Sequence, residues 1–173
     1  TPLGLSGRRN DEVKIWSLKD KDATAPRVIK RLRHGEPVWC LKFSKDGTLA
    51  TGAGDGLRVF EAAPRFSLRA WIKSYAVFEI AWSPANQIAA VIDADDFGDG
   101  FHNRIQVWDS SLNTLFKTSI SGLFELVFAS DITLIASGEG LDKMIYYTLS
   151  NFGLLKVLMQ QNTLPFSTDV LHI

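Results

Sequence analysis

Three segments of this chain superpose without a gap: "VWCLKFS" from Val38, "VFEIAWS" from Val77 and "LFELVFA" from Leu123. Their starts lie 39 and 46 residues apart. Each places apolar residues at offsets 0, 1, 3 and 5 and closes on a small residue. Offsets 1, 3 and 5 alternate, which is the period of a strand with one buried face. In the first segment this predicts Trp39, Leu41 and Phe43 facing inward and Cys40 facing the other way. A second series, "VKIW" ending at Trp16, "LRVF" at Phe60, "IQVW" at Trp108 and "MIYY" at Tyr147, recurs at intervals of 44, 48 and 39 residues. Between the two series lie "TLATGAG", "QIAAVID" and "TLIASGE", a third strand signal.

Turn chemistry separates the strands, with "SKDG" at 44–47, "SPAN" at 83–86 and "ASDI" at 129–132. After each aromatic end comes a further short strand: "RVIKRL", "FSLRAWI", "LFKTSI" and "LLKVLM". The unit is therefore four short strands in about 40 to 46 residues, with no helical stretch between them. One such sheet cannot cover both of its faces, so neighbouring units must stack around an axis. With 46% apolar residues and 11 Phe, 5 Trp and 3 Tyr, the chain can bury the core this requires.

The pattern resembles the WD-repeat (WD40) β-propeller family over nearly the whole chain. "RHGEPVWCLKFSKDGTLATGAGDGLRVFE", from Arg33 to Glu61, follows the family's order of His turn, first strand, second strand, Asp turn and third strand. "LSGRRNDEVKIWS" matches the back half of a repeat, with Asn10 where the family usually has Asp. "IQVWD" keeps the Trp108-Asp109 signature. The resemblance implies an all-β fold, a partial propeller of about three complete four-stranded antiparallel blades with part-blades at both ends. Blades are expected at roughly 1–33 (partial), 34–73, 74–120, 121–160 and 161–173, the last being the start of a further one. The first residue is not Met, so we expect a fragment or processed segment of a larger polypeptide or complex.

The resemblance further implies a buried hydrogen-bonded set at His34, Thr51 and Asp55, with Trp16, Phe60 and Trp108 at the repeat's aromatic position. Phe60 cannot donate, and the Asp turn is one residue short. His34 and Asp55 are expected to pair and brace a turn. A catalytic use of that pair has no nucleophile at a recognised spacing.

The third unit carries an insertion, "IDADDFGDGFHNR", with Asp93, Asp95, Asp96 and Asp99. Laid on the helix-flanked calcium loop, it puts Phe97 and Arg104 where a carboxylate and a bidentate Glu are required, and its flanks are strands. It reads as an exposed acidic loop. In a propeller the loops between second and third strands share one rim. "GRRN" with Arg8 and Arg9, "GAGDG", the acidic insertion and "GEGLDK" would all lie there, as candidate binding loops. The paired arginines lack the flanking order of phosphoinositide-binding propellers.

The first-strand aromatics Trp39, Phe43, Phe78, Trp82, Phe124 and Phe128 read as core wedges, and Trp71 and Tyr75 as candidates for exposure. Lys42, Glu79 and Glu125 are the inner-strand charges, too few for a propeller enzyme. No metal-ligand spacing, phosphate-cradling loop or nucleophile elbow occurs, and no cofactor is expected. Lys plus Arg and Asp plus Glu are 19 each, which disfavours nucleic acid as a partner. The apolar runs are too short for membrane insertion. The single Cys40 fits a reducing compartment, hence an intracellular, cytoplasmic or nuclear, setting. The function these features suggest is a non-enzymatic scaffold that binds protein partners through rim loops. The alternatives are an architectural segment of a larger complex or a propeller enzyme.

Overall fold

In the computed structural model, the described residues are 3–6, 11–17, 27–94, 102–121, 124–138, 143–149 and 155–161. Their regular elements are strands, joined by turns and short connections. β1 (Leu3–Ser6), β2 (Glu12–Ser17) and β3 (Arg27–Arg33) make a three-stranded sheet. Three four-stranded sheets follow, each a meander in chain order. The first holds β4 (Val38–Phe43), β5 (Leu49–Ala53), β6 (Gly56–Phe60) and β7 (Leu68–Lys73). The second holds β8 (Val77–Trp82), β9 (Ile88–Asp93), β10 (His102–Trp108) and β11 (Thr114–Ser121). The third holds β12 (Phe124–Ser130), β13 (Thr133–Gly138), β14 (Lys143–Leu149) and β15 (Leu155–Gln161). All pairings are antiparallel. We call the four sheets blades 1 to 4. The segment expected to open a further blade lies outside the described residues, apart from Gln161 at the end of β15.

The core is not one interior but a series of layers between blades. Val13, Ile15 and Leu32 of blade 1 meet Val38, Leu49, Phe60 and Phe66 of blade 2. Leu57 and Val59 of blade 2 meet Val77, Ile80, Ile88 and Trp108 of blade 3. Val91, Ile105 and Val107 of blade 3 meet Leu126, Leu134 and Ala136 of blade 4. Burial of this kind stabilises by about 25 cal/mol per Å² of apolar surface. A blade between two neighbours is therefore covered on both faces, and β5 and β6 are buried at every position.

This corrects the one-sided reading of the first strands. In β4, Val38 and Cys40 are buried while Trp39 is 36% exposed. Two causes combine. A bulge sets Val38 against Ala53 but Cys40 against Gly52, so two steps on β4 match one on β5. Both faces of the sheet also bury side chains, so strict alternation carries no information there. β8 repeats the irregularity between Val77 and Glu79. Phe43, Trp82 and Phe128 each pack, half-buried, against a different inter-blade layer.

The turns explain why the meander closes where it does. Ser44 N–H donates to Thr48 O (2.8 Å) and Gly47 N–H to Ser44 O (3.1 Å). Ser83 N–H donates to Gln87 O (2.9 Å) and Asn86 N–H to Ser83 O (3.0 Å), the same turn one blade on. Gly47 has φ 87° and Asn86 φ 61°, so both hold the left-handed position that Gly and Asn tolerate best. Asp109 closes the third-to-fourth-strand turn of blade 3. Its Oδ1 accepts from the N–H groups of Ser111 (2.9 Å) and Asn113 (2.8 Å). Hydrogen bonds from Asn113 hold its carboxyl below the ordinary aspartate range.

Candidate functional site

Because each blade is a meander, its first-to-second and third-to-fourth turns lie at one end. The second-to-third turns and the connections between blades lie at the other end. The candidate site is on the second rim of blade 2, where "RHGE" and "GAGDG" meet. His34 is 6% exposed and Thr51 fully buried. Asp55 occupies the turn between β5 and β6, which Gly56 makes possible with φ 122°.

His34 and Asp55 do not bond directly; Arg58 stands between them. Its Nη1 donates to Asp55 Oδ1 (2.9 Å) and its Nη2 to Asp55 Oδ2 (2.7 Å). Nη1 also lies 2.5 Å from His34 Nδ1. A guanidinium only donates, so Nδ1 is the acceptor and the imidazole proton sits on Nε2, directed at Thr51 Oγ1 (3.4 Å). His34 is thus held neutral. Burial pushes its pKa down to about 4; the Arg58 charge pushes the same way, against Asp55 and Asp11. Phe60, at the repeat's aromatic position, meets the imidazole edge-on, with centroids 6.2 Å apart.

Trp71 covers the cluster. In register, Arg58 lies opposite Thr51 on one side and Trp71 on the other. The guanidinium carbon is 4.4 Å from the Trp71 ring centroid and Lys73 Nζ is 4.8 Å away. The indole N–H donates to Asp55 O (3.2 Å). Trp71 remains 41% exposed and Tyr75, in the next inter-blade connection, 46%. Trp39, near the same rim, meets Phe78 of blade 3 edge-on at 5.9 Å.

Sequence reasoning missed Arg58. The signal was present: Phe60 has no donor, so the Asp55 carboxylate needs one from elsewhere. The residue two before the aromatic is also polar in three repeats, Lys14, Arg58 and Gln106.

Arg8, Arg9, Asp95, Asp96 and Asp99 lie outside the described residues. Asp93 ends β9, its N–H donating to Ala76 O (2.8 Å) and tying the insertion's base to the connection before blade 3. Trp16 is half-buried, whereas Phe60 and Trp108 are 5% and 2% exposed. Lys42 and Glu79, on neighbouring inner strands, pair at 3.3 Å. Cys40 Sγ lies against Val77 O, and burial pushes its thiol well above the ordinary range. Among the described residues, no three His, Cys, Asp or Glu side chains could hold a metal ion together.

Comparison with known proteins agrees with this geometry. Residues 27–57 match the family described as WD domain, G-beta repeat, a span from β3 to the start of β6. The WD40 repeats of RRP9 superpose with a TM-score of 0.68 at 12% identity, over 90% of this chain and 49% of that one. The chain has the fold of a WD40 β-propeller. Hsv2 of Kluyveromyces lactis gives 0.63 at 16% identity, over 87% of this chain and 55% of that one. The β-propeller domain of Cps50 (Swd1) from Myceliophteria thermophila gives 0.59 at 12%, over 74% and 40%. The chain therefore spans about half the length of these propellers. Within the WD40 pattern, blade 2 differs by using Arg58 where Phe60 leaves the aromatic position without a donor.

The neutral His34 has a measurable consequence. An unfolded histidine takes up its proton near pH 6.5, and the folded one only near pH 4. Between those values the unfolded state binds more protons, so stability is complete above about pH 6.5 and falls as pH drops toward 4. The expected loss is on the order of 2 kcal/mol. Urea midpoints at pH 7.5 and 4.5 should differ more for the native chain than for His34→Gln. Equal differences in the two proteins would refute the neutral assignment.

Proposed function

We propose that this WD40 chain is a non-enzymatic scaffold that binds a protein partner through the rim where second-to-third turns and inter-blade connections meet. The observation that carries this is the set of exposed aromatics there, Trp71, Tyr75 and Trp39, at 41%, 46% and 36%. Aromatic and arginine side chains dominate the energetics of protein interfaces. Trp71 is also fixed before any partner arrives, by its bond to Asp55 and its stacking on Arg58. Side chains already ordered lose little entropy on binding. The Arg8/Arg9 spot and the Asp95/Asp96 loop would add charge selectivity around this aromatic centre. The Lys42–Glu79 pairing speaks against the enzyme alternative, since each charge is answered by the other rather than directed at a substrate. A single cysteine fits an intracellular partner.

The test is a pull-down and affinity measurement with the intact chain. Tyr75→Ser, and the reversals Arg8→Glu/Arg9→Glu and Asp95→Lys/Asp96→Lys, should each weaken a captured partner at least about tenfold. Lys45→Glu, on the opposite rim, should leave it bound. If the rim variants retain every partner and Lys45→Glu loses one, the rim assignment is wrong.

A further inference from the structure

The outer strands of blades 1 and 2 carry a pattern that the rim does not use. Residues 27–33 and 65–73 contain Arg27, Lys30, Arg31, Arg33, Arg65, Arg69 and Lys73, and no Asp or Glu, although the chain as a whole is neutral. All seven are exposed. Among the described residues, only Arg31 of these has a carboxylate in salt-bridge reach, that of Glu12 at 3.1 Å. Arg69 donates to the backbone oxygen of Ser110 (2.7 Å). Charges on the last strand of a blade are a common defence against edge-to-edge pairing. That purpose gives no reason for the apolar side chains set among the cations. Ile29 is 40% exposed, Leu68 52% and Trp71 41%. The matching strand of blade 3, "TLFKTSIS", has the single cation Lys117, so the band belongs to blades 1 and 2.

We infer that this circumferential band seats the protein edge-on against an anionic lipid surface. Each cation near such a surface strengthens binding about fivefold, and exposed apolar side chains interleaved with cations can enter the headgroup boundary. A polynucleotide would use the cations and stack on Trp71, but it offers Ile29 and Leu68 nothing. The contact is peripheral, and it shares Trp71 with the aromatic rim.

The experiment is co-sedimentation of the full chain with two vesicle types: phosphatidylcholine alone, and phosphatidylcholine with about one third phosphatidylserine. Binding should favour the anionic vesicles at least about tenfold and vanish in high salt. Lys30→Glu with Arg69→Glu should reduce it at least about tenfold. Leu68→Ser should reduce it severalfold with an unchanged circular dichroism spectrum. If the reversal pair fails to fold, Lys30→Gln with Arg33→Gln provides the same comparison. Equal binding to both vesicle types, no binding to either, or indifference to the charge variants would overturn the inference. So would capture of single-stranded RNA, insensitive to Leu68→Ser, without vesicle binding.

Discussion

Gly56→Ala is expected to cost roughly 3–5 kcal/mol, a large share of what holds a domain of this size together. Gly56 sits at φ 122°, which side-chain-bearing residues rarely adopt. A Cβ there would lie 2.2 Å from the carbonyl oxygen of Ile72 and 2.8 Å from the amide nitrogen of Ser74. Both are backbone atoms of β7 and the connection after it, so no rotamer change relieves the contact. The turn that positions Asp55 would open, taking the rim network with it. Two residues earlier, Gly54→Ala meets Glu36 Cβ at 3.0 Å, which a shift of a few tenths of an ångström relieves, and should cost about 1 kcal/mol. Urea denaturation of the two variants side by side decides the matter. Similar midpoints would mean that β7 does not approach β6 as described.

Arg58→Leu is expected to destabilise the fold by about 3–4 kcal/mol. The loss exceeds that of a surface ion pair because three groups are abandoned together: the Asp55 carboxylate, His34 Nδ1 and one face of Trp71. Asp55→Asn alone should cost less, since its turn is partly open to water and the amide oxygen still accepts. The double variant should be less destabilised than the sum of the two single changes, by about 1–2 kcal/mol, as contacting charges require. A double-mutant cycle read by denaturant midpoints would show this. Strict additivity would mean that Arg58 and Asp55 do not act as a pair. The same change removes a positive neighbour from His34, so its protonation should move up toward the ordinary histidine value.

Much of the architecture could be read from local patterns. The recurring Trp16, Phe60 and Trp108 fall one residue before the end of β2 and at the ends of β6 and β10, because each closes a short strand-forming run. "SKDG" and "SPAN" gave the hairpin positions because Gly47 and Asn86 can hold a left-handed backbone. The candidate site was only partly legible. His34, Thr51 and Asp55 were recognisable by their order in the repeat. Their connection through Arg58 was signalled only indirectly, by the missing donor at Phe60, since an arginine in a strand does not itself show which way its side chain turns. The inward assignment of Trp39 failed for a related reason: a bulge changes the phase of β4, and alternation has no meaning in a sheet covered on both sides.

Taken alone, the order of residues determined that the chain makes short antiparallel strands, where they turn, and that they group in fours. These are properties of spacing and backbone preference, and they act over a few residues at a time. Only the packed structure decided which side chains are buried between blades, that Arg58 joins His34 to Asp55, and that cations from β3 and β7 lie along neighbouring outer edges. Most of those outcomes depend on partners some 17 to 40 positions apart, brought together by strand pairing within a blade or by one blade stacking on the next. No window of sequence shorter than that stacking distance contains them.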